Sequence, residues 1–147
     1  ESIVEVLRTL RDRFEYQQLM EIAGVDYPHR EERFDVCYHL LSVTRNHRLR
    51  IRVTTDEEQP VPSVTGLYPG AGWLEREVFD MYGIVFEAHP DLRRVLMYPE
   101  FEGHPLRKDY RIQQSQPRTE LRARERDSVE EFNEYVKDRP AVGSREY

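Results

Sequence analysis

Four apolar residues, Ile3, Val6, Leu7 and Leu10, recur at helical spacing near the start of the chain, with Arg8, Arg11, Asp12 and Arg13 set around them. Intervals of three and four place the apolar residues on one stripe, which predicts an amphipathic helix over residues 2–13 with Ser2 as its N-cap. From Tyr16 the period changes. Residues 16–25 are rich in strand formers, and Asp26-Tyr27-Pro28 ends the run because proline has no N–H to pair. After a polar turn at residues 28–32, Phe34, Val36, Tyr38 and Leu40 alternate with Asp35, Cys37 and His39, the pattern of a half-buried strand. Asn46-His47 reads as a turn. Beyond it Leu49, Ile51 and Val53 point one way while Arg48, Arg50 and Arg52 point the other.

The next stretch is less periodic. Residues 56–62 (Asp-Glu-Glu-Gln-Pro-Val-Pro) read as an exposed loop, and 63–72, with Gly66, Gly70 and Gly72, as an irregular connector. A helix is expected from about Trp73 to Tyr82, closed by Gly83 in a left-handed C-cap with Phe79 and Ile84 spaced to pack over it. Short strands are expected at 84–86 and, after a His89-Pro90 turn, at Arg93–Met97. Residues 111–119 read as a polar linker. Ser128 and Glu131 form a capping-box pattern ahead of Val129, Phe132, Tyr135 and Val136, a short helix ended by Pro140 that must dock to bury its stripe.

Charge and composition narrow the function. A net charge of −6 over 147 residues makes the chain a poor match for nucleic acid or anionic lipid, so the row Arg48, Arg50, Arg52 is read as the wet or partner-facing side of its strand. No apolar run reaches the roughly 20 residues of a membrane-spanning helix, so membrane association is expected through partners. The first residues lack a secretory pattern and an initiator Met, as in a trimmed chain. Cys37 is the single cysteine. It excludes an internal disulfide and the thiolate set of an iron–sulfur cluster, and fits a reducing compartment.

The chemically dense stretch is residues 72–110. Arg76 is flanked by Glu75 and Glu77 and has Asp80 one helical turn on, which predicts a buried or interfacial ion-pair cluster. Glu75 and Glu77, two apart on a helix, diverge and do not form an acid/base pair. His89 and His104 each precede a proline without a local metal-ligand pattern, and are expected to be hydrogen-bonded turn residues. Gly103-His104-Pro105 reads as a sharp turn, and Arg107, Lys108 and Asp109 as a salt-bridged corner. A stand-alone metal protein or enzyme built on His89, His104 and nearby carboxylates is the competing reading.

Three ordered motifs, Glu75-Arg76-Glu77 with Asp80-Met81-Tyr82-Gly83-Ile84, His89-Pro90-Asp91-Leu92-Arg93-Arg94, and Gly103-His104-Pro105-Leu106-Arg107-Lys108-Asp109-Tyr110, resemble the signature of the thirty-kilodalton subunit family of respiratory complex I. The likeness extends back through Gly24-Val25-Asp26-Tyr27 and Val61-Pro62-Ser63-Val64 to about residue 2. Arg111 stands where many relatives have proline, and a further segment common before the first helix is absent. The resemblance implies an α+β fold, a two-layer domain of mixed β-sheet covered by helices over residues 1–110, followed by an extended C-terminal tail, 111–147, that docks on a partner. It implies a non-catalytic core subunit of the peripheral arm of a proton-translocating NADH:quinone oxidoreductase. Its partners would be the forty-nine-kilodalton (D) subunit and cluster-bearing neighbours, which would hold the flavin and iron–sulfur clusters, with no cofactor in this chain. The cytoplasmic side of a bacterial inner membrane is the expected place. The implied interface comprises Glu75, Arg76, Glu77, Asp80, Tyr82, Gly83, His89, Pro90, Arg93, Gly103, His104, Pro105, Arg107, Lys108, Asp109 and Tyr110. The equivalent subunit of a ferredoxin- or plastoquinone-linked complex, or of a membrane-bound energy-converting hydrogenase, is the alternative.

Overall fold

The apolar stripe at the start of the chain does form a helix, α1 (Ile3–Phe14), in the computed structural model, which describes residues 2–116. The linker beyond residue 116 and the expected Ser128–Pro140 helix lie outside the described residues. Ile3 and Leu7 of α1 are buried. Ser2 holds the N-cap position, but its hydroxyl makes no cap bond; its carbonyl accepts the N–H groups of Glu5 and Val6 at 3.0 and 3.2 Å. Arg11 does not simply face water, because its Nη1 donates to the Leu67 carbonyl at 3.0 Å.

Three nine-residue strands follow: β1 (Gln18–Asp26), β2 (Phe34–Ser42) and β3 (His47–Thr55), paired antiparallel in the order β1-β2-β3. Ile22, Tyr38 and Ile51 form one row across the sheet, and Gly24, Val36 and Val53 the next. Phe34, Val36, Tyr38 and Leu40 are wholly buried, so the alternation in β2 sets which face is the core. A bulge at Met20 interrupts the β1 register.

Val61 and Pro62, expected in the exposed loop, form a short strand, β4 (Val61–Pro62). Val61 is 2% exposed. Sinking a Val side chain into the core stabilises by about 1.5–3 kcal/mol, enough to draw this end of the loop inward. The helix α2 (Ala71–Tyr82) then leads to β5 (Phe86–Glu87), which pairs parallel with β4. The expected α+β class is therefore the one observed, with the parallel pairing confined to β4–β5 and the larger sheet antiparallel throughout. α2 packs on β1, and the approach needs Gly24, where a Cβ would meet the Tyr82 ring at 2.6 Å. Among the described residues no helix is long and apolar enough to cross a membrane.

Candidate interaction site around α2

α2 runs from Gly70 at its N-cap to Gly83, whose left-handed φ of 79° and N–H bond to the Phe79 carbonyl (2.8 Å) close the helix as its sequence predicts. Glu75, Arg76 and Asp80 on this helix are buried, while Glu77 is exposed. Such burial requires partners for each charge.

Glu75 finds them in the connector before the helix. One carboxylate oxygen accepts the Val64 N–H at 2.7 Å and the other the Ser63 hydroxyl at 2.7 Å. Burial pushes its carboxyl above the ordinary range, against the opposing pull of those two donors and His89. His89 Nε2 lies 3.9 Å from the same carboxylate. Because His89 Nδ1 accepts the Asp91 N–H, its Nε2 carries the proton and donates to the Gly72 carbonyl at 3.1 Å. His89 is thus the turn-holding residue expected, and Pro90 sits exposed beside it.

Arg76 and Asp80 depart from the expected cluster. Arg76 donates through Nε and Nη2 to the carbonyls of Arg93 and Arg94, both at 3.0 Å, and its guanidinium lies 4.7 Å over the Trp73 ring. Asp80 pairs with Arg94 at 2.7 Å, not with Arg76, while its second oxygen accepts the N–H groups of Val95, Leu96 and Met97 at 3.0, 2.8 and 2.9 Å. Burial alone would push the Asp80 carboxyl up. The Met97 and Leu96 N–H groups, Arg94 and the Val95 N–H outweigh it and hold the carboxyl below its ordinary range. The same three N–H bonds explain why Arg93–Met97 forms no strand. Three consecutive N–H groups converge on one oxygen, so the backbone curls into an anion-holding loop instead of extending toward a neighbour. Arg93 itself is exposed and pairs with Asp91 at 2.9 Å.

The third motif closes over the end of α2. Gly103, at φ 86°, supplies the turn, and its carbonyl accepts Arg94 Nη2 at 2.9 Å. His104 Nδ1 donates to the Asp80 carbonyl at 2.9 Å, and burial holds its imidazole below the usual range. Pro105 leads to Leu106, whose N–H reaches the Met81 carbonyl at 3.1 Å. Arg107 donates to the Tyr82 carbonyl and to Glu57. The Lys108 N–H donates to Asp26 at 2.7 Å, and Asp109 pairs with Arg33 at 2.9 Å. Tyr110 stacks on Phe101 at 6.0 Å and its hydroxyl meets the Gln116 amide.

Sequence reading missed the residues at the far side of this corner. Arg33 grips Asp26 through two bonds of 2.7 and 2.9 Å and also pairs with Glu57 at 2.6 Å. Asp26 and Lys108 are 82 positions apart, and no local spacing joins them. The one signal in the sequence is Asp26 itself, a carboxylate placed where a strand of apolar residues stops.

The buried charges are thus directed at this chain's own backbone and loops. Glu75 and His89, the carboxylate–imidazole pair beside α2, have side chains 0% and 2% exposed and offer no surface to a substrate. Among the described residues no cluster of three His, Cys, Asp or Glu side chains is arranged to hold a metal. Beside the exposed charges of Glu77, Arg93, Lys108 and Asp109, the site presents an apolar set outward: Trp73, Leu96 and Leu106 are 65%, 56% and 49% exposed. All three lie on α2 or on the loops it anchors.

Comparison with known proteins places this geometry in a family. Residues 1–116 match the family described as "Respiratory-chain NADH dehydrogenase, 30 Kd subunit". Among curated proteins, a relative from Erythrobacter litoralis, named as the C-subunit of NADH-quinone oxidoreductase, is 64% identical over 110 residues, which are 75% of this chain and 44% of that protein. The like-named protein of Novosphingobium aromaticivorans is 63% identical over 110 residues, 75% of this chain and 36% of its own length. That of Caulobacter vibrioides is 58% identical over 111 residues, 74% of this chain and 56% of its own. The chain therefore spans about half, or less, of the curated relatives it matches. A solved chain from the membrane-bound sulfane sulfur reductase, an archaeal respiratory membrane complex, shares the fold, with a TM-score of 0.64, 24% identity and coverage of 99% of this chain and 79% of its own.

Proposed function

The chain belongs to the thirty-kilodalton subunit family of the respiratory-chain NADH dehydrogenase, and from that membership we propose that it is a core, non-catalytic subunit of the peripheral arm of a proton-translocating NADH:quinone oxidoreductase. Its role is placement. It packs against the forty-nine-kilodalton (D) subunit and cluster-bearing neighbours, which hold the flavin and iron–sulfur clusters and pass electrons from NADH to quinone, and it carries no cofactor itself. It reaches the cytoplasmic face of the inner membrane only through that complex.

The observation that carries this reading is the direction of the buried charges. Glu75, Arg76, Asp80 and Arg107 each satisfy backbone groups: those of Val64, of Arg93 and Arg94, of Val95 to Met97, and of Tyr82. They fix the loops around α2 in place, and the fixed surface then exposes Trp73, Leu96 and Leu106. Aromatic and aliphatic anchors on a rigid, charge-locked frame suit a permanent contact between subunits. A catalytic carboxylate would instead need access to a substrate.

Co-purification tests the proposal. A tag on the chromosomal protein is expected to bring down the flavin- and cluster-bearing subunits of NADH:quinone oxidoreductase in equal amount, and Trp73→Ala with Leu106→Ala to weaken that recovery. Recovery of an intact, active complex that lacks this polypeptide removes the idea. A co-purifying large subunit with a nickel-binding cysteine set would move the chain to a hydrogenase.

A further inference from the structure

The sheet has a second face, away from the core, that stays accessible. The strand registers build it row by row: Gln18, Leu41 and Arg48; Glu21, His39 and Arg50; Ala23, Cys37 and Arg52. The bulge pushes Met20, 44% exposed, into the same region. There Met20, Glu21, His39, Arg48 and Arg50 line an open depression of about 710 Å³. The charges on this face do not cancel. Glu21 bonds His39 at 3.2 Å, and Arg52 shares Asp35 with Arg30 at 3.4 and 3.3 Å. Arg48 and Arg50 are exposed, and among the described residues neither has a carboxylate partner. They stand out as local positive charge on a chain whose net charge is −6.

We propose that this open face seats an acidic segment of a neighbouring subunit, whose carboxylates pair with Arg48 and Arg50 and whose apolar side chains cover Met20 and Leu41. The inference rests on the chain being part of a larger complex, but it concerns a surface separate from the charged corner around α2. Alternate residues of a strand recur at about 6.6 Å, so the segment must offer carboxylates at that interval. Two unpaired arginines on so short a row serve a pair of carboxylates. Nucleic acid binding relies on many phosphate contacts and would meet net repulsion from the rest of the chain. The apolar fraction of the face favours a protein segment for the same reason, since only such a partner removes Met20 and Leu41 from water.

Cys37, the single cysteine, lies in the middle of this face and serves as its reporter. Burial holds its thiol above the usual range, so maleimide labelling is best run near pH ~8.5, where some thiolate forms. Full-length chain purified alone, its fold checked by circular dichroism, is labelled beside the assembled membrane complex. The expected result is alkylation of Cys37 at least about tenfold slower in the complex, because access governs the rate. A short photo-cross-linker attached to Cys37 before reassembly is expected to capture a peptide rich in Asp and Glu from another subunit. Arg48→Glu with Arg50→Glu is expected to keep the chain's melting curve while lowering its occupancy in the complex. Equal Cys37 reactivity in both states overturns the inference. So does capture of nucleic acid, lipid, a non-acidic peptide or this chain's own residues 118–147, and so does normal assembly of the double variant. A chain missing from the complex before any labelling overturns the proposed function as well, whereas a chain that is present with Cys37 open overturns this inference alone.

Discussion

Two buried carboxylates about one turn and a half apart on α2 behave in opposite ways, and the number of donors facing each decides it. Asp80 faces Arg94 and three N–H groups, so its ionised form is favoured in the folded chain. A carboxyl held below its ordinary value of about 3.9 contributes stability that is complete above that pH and is lost as pH falls through the folded value. Asp80→Asn is expected to destabilise by about 3–5 kcal/mol, since Arg94 keeps a buried charge and the loop N–H groups lose a full anion. Urea midpoints at neutral pH measure it, and a loss under about 1 kcal/mol would mean the loop is held elsewhere. Glu75 has only Val64 and Ser63 as donors, and burial wins. With a folded value raised above its unfolded one, its ionisation works against folding once pH exceeds the unfolded value of about 4.3. Glu75→Gln keeps an acceptor for Val64 and gives an amide that Ser63 can accept. Relative to the unsubstituted chain, the variant is therefore expected to gain stability between acid and neutral pH. Unfolding midpoints compared at about pH 4 and 8 check the sign, and a variant that loses ground as pH rises would show Glu75 to be favoured as an anion.

The helix and strand pattern is legible where one period runs long enough to be unambiguous. α1, β2 and β3 show it, because each repeats its own period over at least three turns or alternations and each is placed within a residue or two. The failures fall where backbone polar groups are satisfied from a distance. Val95 and Met97 look like strand residues, yet their N–H groups end on Asp80, fifteen and seventeen positions back. Arg76 looks like the centre of an intrahelical cluster, yet its partners are carbonyls at 93 and 94. Likewise β4 is too short to betray a strand, and Val61 finds its partner only at Phe86, beyond the whole of α2. The signature residues stand out in the sequence, but what binds each does not, because spacing reports neighbours on one element and not between elements. Packing of α2 on β1 gives the test at this scale. A Cβ at Gly24 would sit 2.6 Å from the Tyr82 ring, which is carried by the last residue of α2. Gly24→Ala is expected to cost about 1–3 kcal/mol through overpacking, mainly by lifting the helix end from the sheet. Tyr82→Leu, which frees that space, is expected to restore part of the loss when combined with it. Additive losses in the double-variant cycle would place the strain elsewhere.

At the scale of the whole described unit, Arg33 is the point where distant parts of the chain are joined. It begins beside β2, binds Asp26 at the end of β1, reaches Glu57 in the loop after β3, and holds Asp109 of the last motif. Its guanidinium and that of Arg107 both lie 5.1 Å from the Phe34 ring centre, so two cations flank one core aromatic. The Asp26 side chain is wholly buried and its carboxyl is held low, chiefly by the Arg33 bond. Glu57 and Asp109 are about half exposed, so their pairs contribute little in water and act to aim Arg33. The corner at residues 104–110 is thus joined to the sheet by the Lys108 N–H on Asp26, which Arg33 holds, and by the exposed Asp109–Arg33 pair, and loss of Arg33 should release it before the sheet opens. Arg33→Ala is expected to destabilise by about 3 kcal/mol, with Asp26 left as a buried, half-paired anion. More telling, trypsin should cut after Arg107 or Lys108 in this variant under conditions where the sheet remains intact by circular dichroism, a local opening rather than global unfolding. Arg45→Ala, which removes an exposed pair with Glu15 at the opposite end of the sheet, should leave that cleavage unchanged. If both variants are cut alike, or only after the whole chain unfolds, the corner is held by the bonds of His104, Leu106 and Arg107 to the end of α2 and not by Arg33, and the order of attachment is reversed.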